Sequence, residues 1–343
     1  MPLVKAYITH KRAEQHKDCQ DSFCISKDNK SIAIADGVSQ SIFPKIWADM
    51  LTQEYVNNPK FTLSDMEKIA ELRSSWKQFF QNELERQRRE NTPLLWKLED
   101  CYNEGKSAGA TFVGIRFIDK KNIKYEVLGD SCIVIVKEKK IQEVISSKDI
   151  GSTFDNYPDY IDSNVKIGTK GKIKKGHIIF EKGMEILLVT DALSEILSTA
   201  SLSEEKGENT FNKLSEIANS EQFEACIESF RDNGMSNDDT TMIYISWTDH
   251  DRLIVVDETD INNLIALEND TKSESENSSS TTAENKTTNT CKKTYLRLLI
   301  DLFGKQESLG VEDEDKYVDT LIEKNLPKAK KIIKDYLFSN KTH

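Results

Sequence analysis

Four apolar runs in this chain each border a carboxylate. SIAIADG ends in Asp36-Gly37, YEVLGDS in Gly129-Asp130 and EILLVTDA in Asp191-Ala192, and the run TMIYISW is preceded by Asn237-Asp238-Asp239. Any one of these reads as an ordinary turn aspartate, because Asp and Gly close turns wherever strands end. Together they suggest a different chemistry. Carboxylates held close raise one another's pKa, and they stay ionised as a group only beside a cation. Hard oxygen ligands favour Mg²⁺ or Mn²⁺ over zinc, and no His/Cys ligand spacing in the sequence competes with them.

For these aspartates to meet, the runs that carry them must be strands. Ser22–Ile25 and residues 32–35 are β-like runs around the turn Asp28-Asn29-Lys30, and further runs fall at 110–118, 123–128, 131–136, 141–144, 186–189 and 241–247. Short connections such as Asp119-Lys120-Lys121-Asn122 favour antiparallel hairpins over parallel crossovers. Between the strands, Ser64-x-x-Glu67 reads as a capping box opening a long amphipathic helix, with Ile69, Leu72, Trp76, Phe79 and Phe80 along one side. The pattern predicts an α+β fold, mainly antiparallel sheet covered by helices.

Composition narrows the function classes. A chain of 343 residues with 37% hydrophobic content can bury a full core and carry an appendage. The net charge of −11 opposes binding to polyanions such as nucleic acid, whereas an acidic body suits a cation site. From Cys291 onward, 11 Lys and Arg stand against 9 Asp and Glu, so the acid excess lies in the first 290 residues. The six cysteines form no CxxC pair, and several sit in apolar runs such as VLGDSCIVIV, as reduced core residues do. The N-terminus lacks the apolar core of a signal peptide, and no run approaches the ~18 apolar residues that span a bilayer. A cytoplasmic protein without membrane contact is the expectation.

Residues 268–290, ENDTKSESENSSSTTAENKTTNT, contain no apolar residue larger than one alanine and cannot offset their own ordering entropy. They read as a flexible linker within a connecting segment 251–290, after a catalytic domain 1–250. Residues 291–343 regain helical periodicity in YLRLLIDLF and DTLIEKNLPKAKKIIKDYLF, a pattern suited to a docking or regulatory helical segment for a protein partner. Packing on their own domain is the plainer role for those helices.

The order CQDSF, ADG, a helical region, GATF, GDS, TDA and DDTT resembles the metal-dependent protein phosphatases of the 2C class over roughly residues 5–248. Gly109-Ala110-Thr111 fits the family's Gly-Ala-Thr strand opening, and DDTTMIYI fits its Asp-Asn-x-Thr before an apolar strand. CQD and TDA look most like bacterial members. The resemblance implies a four-layer α-β-β-α sandwich, here with a small helical C-terminal extension, and metals in a cleft at one end. It also implies that Asp36 bridges two Mn²⁺ or Mg²⁺ ions, with the Gly37 carbonyl helping to hold the second. Asp191 and Asp238 would complete the shell of the first ion. Asp21 would hold the second directly or through water, with Gln20 where many members have glutamate. Asp130 would serve a third, weaker ion. Two cations ~4 Å apart activate a water that attacks phosphorus in line, with no covalent enzyme intermediate. The substrate implied is phosphoserine or phosphothreonine in a protein, opposing a Ser/Thr kinase.

Departures from the family pattern bear on the substrate side. Many members grip the phosphate with an arginine a few residues before the Asn-Glu-Asp element, where this chain has Glu14-Gln15-His16-Lys17-Asp18. Arg12, His10 and His16 are the candidates for that grip, against a role as exposed loop residues. Val38 stands where some relatives place a histidine, which leaves leaving-group protonation to water or His10. Asp239 replaces an asparagine, with turn capping as its plainer role, and Ala192 in place of glycine implies a backbone that avoids positive φ. Residues 145–176 correspond to the family's flap beside the active site, where tyrosines and lysines could contact a phosphoprotein. A cysteine phosphatase is disfavoured, since Cys226-x4-Arg231 has the wrong spacing for a Cys-x5-Arg loop, and no P-loop is present. The alternative function is a catalytically weak phosphatase-fold module that binds phosphoproteins as a signalling adaptor, a reading that draws on the altered phosphate grip.

Overall fold

The computed structural model describes residues 2–147, 159–247 and 255–257. The expected linker 268–290 and helices 291–343 lie outside the described residues, as do positions 148–158 of the flap. In chain order, strands β1 (Pro2–Thr9), β2 (Ser22–Ile25) and β3 (Ser31–Ala35) precede helices α1 (Pro44–Asn57), α2 (Met66–Glu90) and α3 (Leu95–Asn103). Strands β4 (Gly109–Ala110), β5 (Phe112–Phe117), β6 (Asn122–Leu128), β7 (Cys132–Lys137) and β8 (Lys140–Ile145) follow. Next come β9 (Tyr160–Asp162), β10 (Thr169–Lys170), β11 (Lys174–Ile179) and β12 (Met184–Val189). Helices α4 (Asp191–Ala200), α5 (Glu204–Ser215) and α6 (Ser220–Asp232) then lead to β13 (Thr240–Trp247) and β14 (Val255–Asp257).

Two main sheets form, one ordered β14-β1-β13-β12-β7-β8 and the other β11-β6-β5-β3-β2, with a small sheet β10-β9-β4 beside them. Neighbours pair antiparallel except β14, which runs parallel to β1. Successive residues of a strand point to opposite faces, so the central strands β3, β5, β7, β12 and β13 each feed two cores. Ile133, Ile186, Leu188, Ile243 and Ile245 of the larger sheet meet Ile32, Ile34, Val113 and Ile115 of the smaller one in a core between the sheets. The alternate residues Val134, Leu187, Val189 and Met242 pack under α4, α5 and α6 with Leu193, Phe211, Phe223 and Ile227. On the far side, Ala33, Ala35 and Phe112 pack under α1, α2 and α3 with Trp47, Leu51, Trp76, Phe80 and Leu98. The layers are therefore α-β-β-α, and burial on both faces explains why these strands read as unbroken apolar runs.

Three details correct or extend the sequence reading. The N-cap of α2 is Asp65, whose Oδ1 accepts from Lys68 N at 3.1 Å, one position after the expected Ser64. The helix begins one residue later than expected, so the Asp65 carboxylate meets the third amide of the helix and complements the dipole. Strand β1 went unread, although Val4, Ala6 and Ile8 alternate as a half-buried strand should. Asn29 adopts φ 56° at the expected β2–β3 turn.

Candidate active site

Strand register brings the aspartates together. Ser22 pairs with Ala35, so one step further sets Asp21 opposite Asp36. Val189 pairs with Cys132 and with Met242, so the next steps set Asp191 by Asp130 and Thr190 by Thr241. Thr9 pairs with Thr240, which carries Lys11 to the level of Asp238. Asp36, Gly37, Asp130, Asp191 and Asp238 all line one cleft of about 780 Å³. Asp21 lies behind them, fully buried.

Each carboxylate is held by its own local chemistry. Asp36 follows β3, its N–H donating to Thr111 Oγ1 at 3.2 Å while its carbonyl accepts from Thr111 N at 2.9 Å. Gly37 is required by close approach, since a Cβ there would lie 2.7 Å from Pro44 Cβ and 2.9 Å from the Gln20 carbonyl oxygen. Asp191 opens α4, with Oδ1 accepting from Ala192 N at 2.6 Å. Ala192 is the second residue of that helix, so no positive φ arises there. Asp21 Oδ2 accepts from the hydroxyls of Thr190 and Thr241, both at 2.8 Å. Its Oδ1 and the side-chain oxygen of Gln20 are buried without a hydrogen-bond donor.

The charges interact strongly. Burial, then the neighbouring carboxylates, pushes Asp21, Asp36 and Asp191 well above the usual carboxylate range. For Asp36 the strongest neighbour is Asp21, within reach to share a proton with it. For Asp191 the neighbours are Asp36, Asp238 and Asp130. Among the described residues no three carboxylate, imidazole or thiol side chains converge as a ready-made ion shell. The donor set nonetheless fits Mn²⁺ or Mg²⁺. It is all oxygen, and Asp21 keeps a buried oxygen that accepts from no N–H or hydroxyl.

Lys11 is the site residue that motif reasoning missed. Its Nζ lies 3.0 Å from Asp238 Oδ1 and donates to Ser39 Oγ at 2.9 Å. Burial lowers the Lys11 pKa, but Asp238 and Asp239 more than offset this and hold the ammonium above its ordinary value. The signal was available in the sequence as β1, whose register with β13 sets Lys11 across from Asp238. Asp239 anchors backbone, accepting from Lys11 N at 3.0 Å and from Gln20 N at 2.8 Å.

His10 and Arg12 are placed differently from Lys11. Arg12 forms ion pairs on α6, to Glu228 Oε2 and Asp232 Oδ1, each at 2.5 Å. His10 turns its ring edge-on to His16, with centroids 4.5 Å apart, and His16 Nε2 lies 3.5 Å from Glu224 Oε1. None of His10, Lys11 and Arg12 lines the cleft itself, and Lys11 differs in that its ammonium touches Ser39 and Asp238, which do. Arg231 on α6 has a structural task, since its Nη2 donates to the carbonyls of His10 at 3.0 Å and Asp238 at 2.6 Å. Cys226 is partly buried, and burial raises its thiol pKa, the opposite of an activated nucleophile. Among the described residues no helix is long and apolar enough to cross a membrane.

The family model described as Protein phosphatase 2C matches residues 9–256. No curated protein sequence matches the chain closely enough to count as a relative. Among solved structures, a serine/threonine phosphatase of S. agalactiae is 14% identical, with a TM-score of 0.45, covering 72% of this chain and 100% of that one. PppA of Pseudomonas aeruginosa, described as a key regulatory component of T6SS, is 14% identical, with a TM-score of 0.45 and coverage of 71% and 97%. The Mycobacterium tuberculosis serine/threonine phosphatase PstP/Ppp is 16% identical, with a TM-score of 0.38 and coverage of 71% and 98%. With the family model spanning most of the chain and the carboxylate cleft at its strand ends, this chain belongs to the protein phosphatase 2C family.

Proposed function

We propose that the chain is a metal-dependent phosphatase acting on phosphoserine and phosphothreonine in proteins. The observation that carries this reading is the sharing of one cleft by Asp36, Asp130, Asp191 and Asp238 with Asp21 at its back, where the neighbouring carboxylates disfavour the charged forms of Asp36 and Asp191. Asp36, Asp191, Asp238 and the Gly37 carbonyl would hold two ions, with Asp21 orienting the second and Asp130 available to a third. Bound Mn²⁺ or Mg²⁺ supplies an activated water nucleophile and neutralises charge on the phosphoryl group. Lys11 is the phosphate-gripping cation, because its ammonium reaches the cleft lip while Ser39 steadies it. That assignment removes the main ground for a binding-only adaptor, which rested on a missing grip. The substrate is a phosphorylated protein produced by a Ser/Thr kinase. Purified protein should release phosphate from a phosphothreonine peptide with Mn²⁺ or Mg²⁺ and stop when chelator is added. Tight peptide binding without turnover would favour the adaptor instead.

A further inference from the structure

A second cavity, of about 630 Å³, adjoins the cleft and shares Gly105, Lys106 and Ser107 with it. Arg73, Trp76 and Lys77 of α2 line one wall, and Lys166 stands opposite. Arg73 is 6% exposed and Trp76 is 4% exposed. The Nε of Arg73 donates to the Asp162 carbonyl at 2.9 Å, yet its Nη2 has no hydrogen-bond partner, and neither has Trp76 Nε1. Two buried N–H donors without acceptors thus belong to side chains lining a groove that Lys77 and Lys166 make basic at its exposed lip. The acidic groups nearby offset Lys106 and part of the Arg73 charge, and among the described residues Lys77 and Lys166 form no ion pair. Glu104 pairs with Lys106 at 3.3 Å, and Asp162 spends one carboxylate oxygen on Asn164 N at 2.6 Å. In a protein of net charge −11, a cluster of cations with unused donors beside the reaction cleft calls for an anionic occupant.

We propose that this groove binds an anionic side chain, carboxylate or phosphate, on the same substrate segment whose phosphoresidue enters the cleft. The inference rests on the phosphatase reading for the identity of the segment, and on the groove alone for its charge. Arg73 supplies a planar, permanently charged donor set at the base, which suits carboxylate and phosphate oxygens, and the lysines act as point charges around it. The enzyme would thereby prefer phosphosites with acidic or multiply phosphorylated flanks.

The test compares three labelled phosphothreonine peptides whose flanks carry aspartates, phosphoserine or alanines. Binding to the full chain is read by fluorescence anisotropy in chelator, where turnover cannot consume the probe, and kcat/KM is read with Mn²⁺. Both anionic flanks should bind about tenfold more tightly than the alanine flank, with the larger gain identifying carboxylate or phosphate as the better ligand. The exposed double substitution Lys77→Ala/Lys166→Ala should reduce the preference at least about threefold and leave p-nitrophenyl phosphate hydrolysis unchanged. Arg73→Gln, if folded by circular dichroism, should reduce it further. Equal affinity for all three peptides, or an undiminished preference in the double variant, would overturn the groove. A preserved binding preference without phosphate release would instead sink the catalytic reading and leave the groove standing.

Discussion

Lys11 Nζ sits 3.0 Å from Asp238 Oδ1, bringing a cation from the end of β1 onto a carboxylate at the start of β13. In the proposed reading the ammonium would compete with a metal for Asp238 and would be available to a phosphoryl oxygen. Lys11→Met should therefore lower kcat/KM on a phosphothreonine peptide about 10- to 100-fold, the size of one charge-assisted hydrogen bond. Manganese affinity by calorimetry should hold or tighten. Weakened metal binding in Lys11→Met would show that the residue supports the ion site rather than the substrate.

The raised carboxylates make a pH prediction. Asp21, Asp36 and Asp191 have folded pKa values well above the usual range of ~4, burial being the leading cause. A raised acid pKa stabilises the fold at low pH, and the contribution disappears as pH climbs through the folded value. In chelator, the melting temperature should fall as pH rises above the usual carboxylate range. Saturating Mn²⁺ should remove that fall, so the stabilisation it brings should grow with pH. A metal-induced shift that shrinks as pH rises would contradict the cluster's electrostatics.

Gly37 tests the tightness of the cleft floor. The added methyl of Gly37→Ala would meet Pro44 Cβ at 2.7 Å and the Gln20 carbonyl oxygen at 2.9 Å. An overpacking cost of about 1–3 kcal/mol is expected, together with reduced metal affinity, measurable by thermal melts with and without Mn²⁺. An alanine variant matching the parent in both would place the backbone differently.

Arg231 and Cys226 separate structure from chemistry on α6. Arg231→Ala leaves the carbonyls of His10 and Asp238 without their donor and should cost about 2–4 kcal/mol of stability in chemical unfolding. Cys226→Ala should leave hydrolysis intact, because a thiol whose pKa is raised by burial cannot act as the nucleophile. Loss of turnover in Cys226→Ala would revive the thiol mechanism.

The carboxylate cleft was largely legible because each aspartate follows or precedes a doubly buried strand, whose apolar run is unmistakable, and a one-step extension of the register sets Asp36 by Asp21 and Asp191 by Asp130. The substrate side was not. Lys11 escaped notice because β1 mixes Lys5 and Tyr7 into its alternation and was not read as a strand, so its partner across the sheet was unknown. Arg12 drew attention by its charge, yet its ion pairs come from α6, more than two hundred residues away in sequence. The donors of Arg73 and Trp76 are equally invisible in a helix whose period marks both simply as core-facing. Caps differ by one residue for a simpler reason, since Ser64 and Asp65 are both competent and only backbone geometry selects between them.

Manganese titration by calorimetry on the parent chain and on Asp36→Asn, with phosphate release assayed on the same samples, tests the central claim most directly. The account predicts two ions bound by the parent, loss of binding and of phosphothreonine hydrolysis together in Asp36→Asn, and no turnover in chelator. Undiminished hydrolysis in chelator, or equal manganese binding by Asp36→Asn, would contradict it.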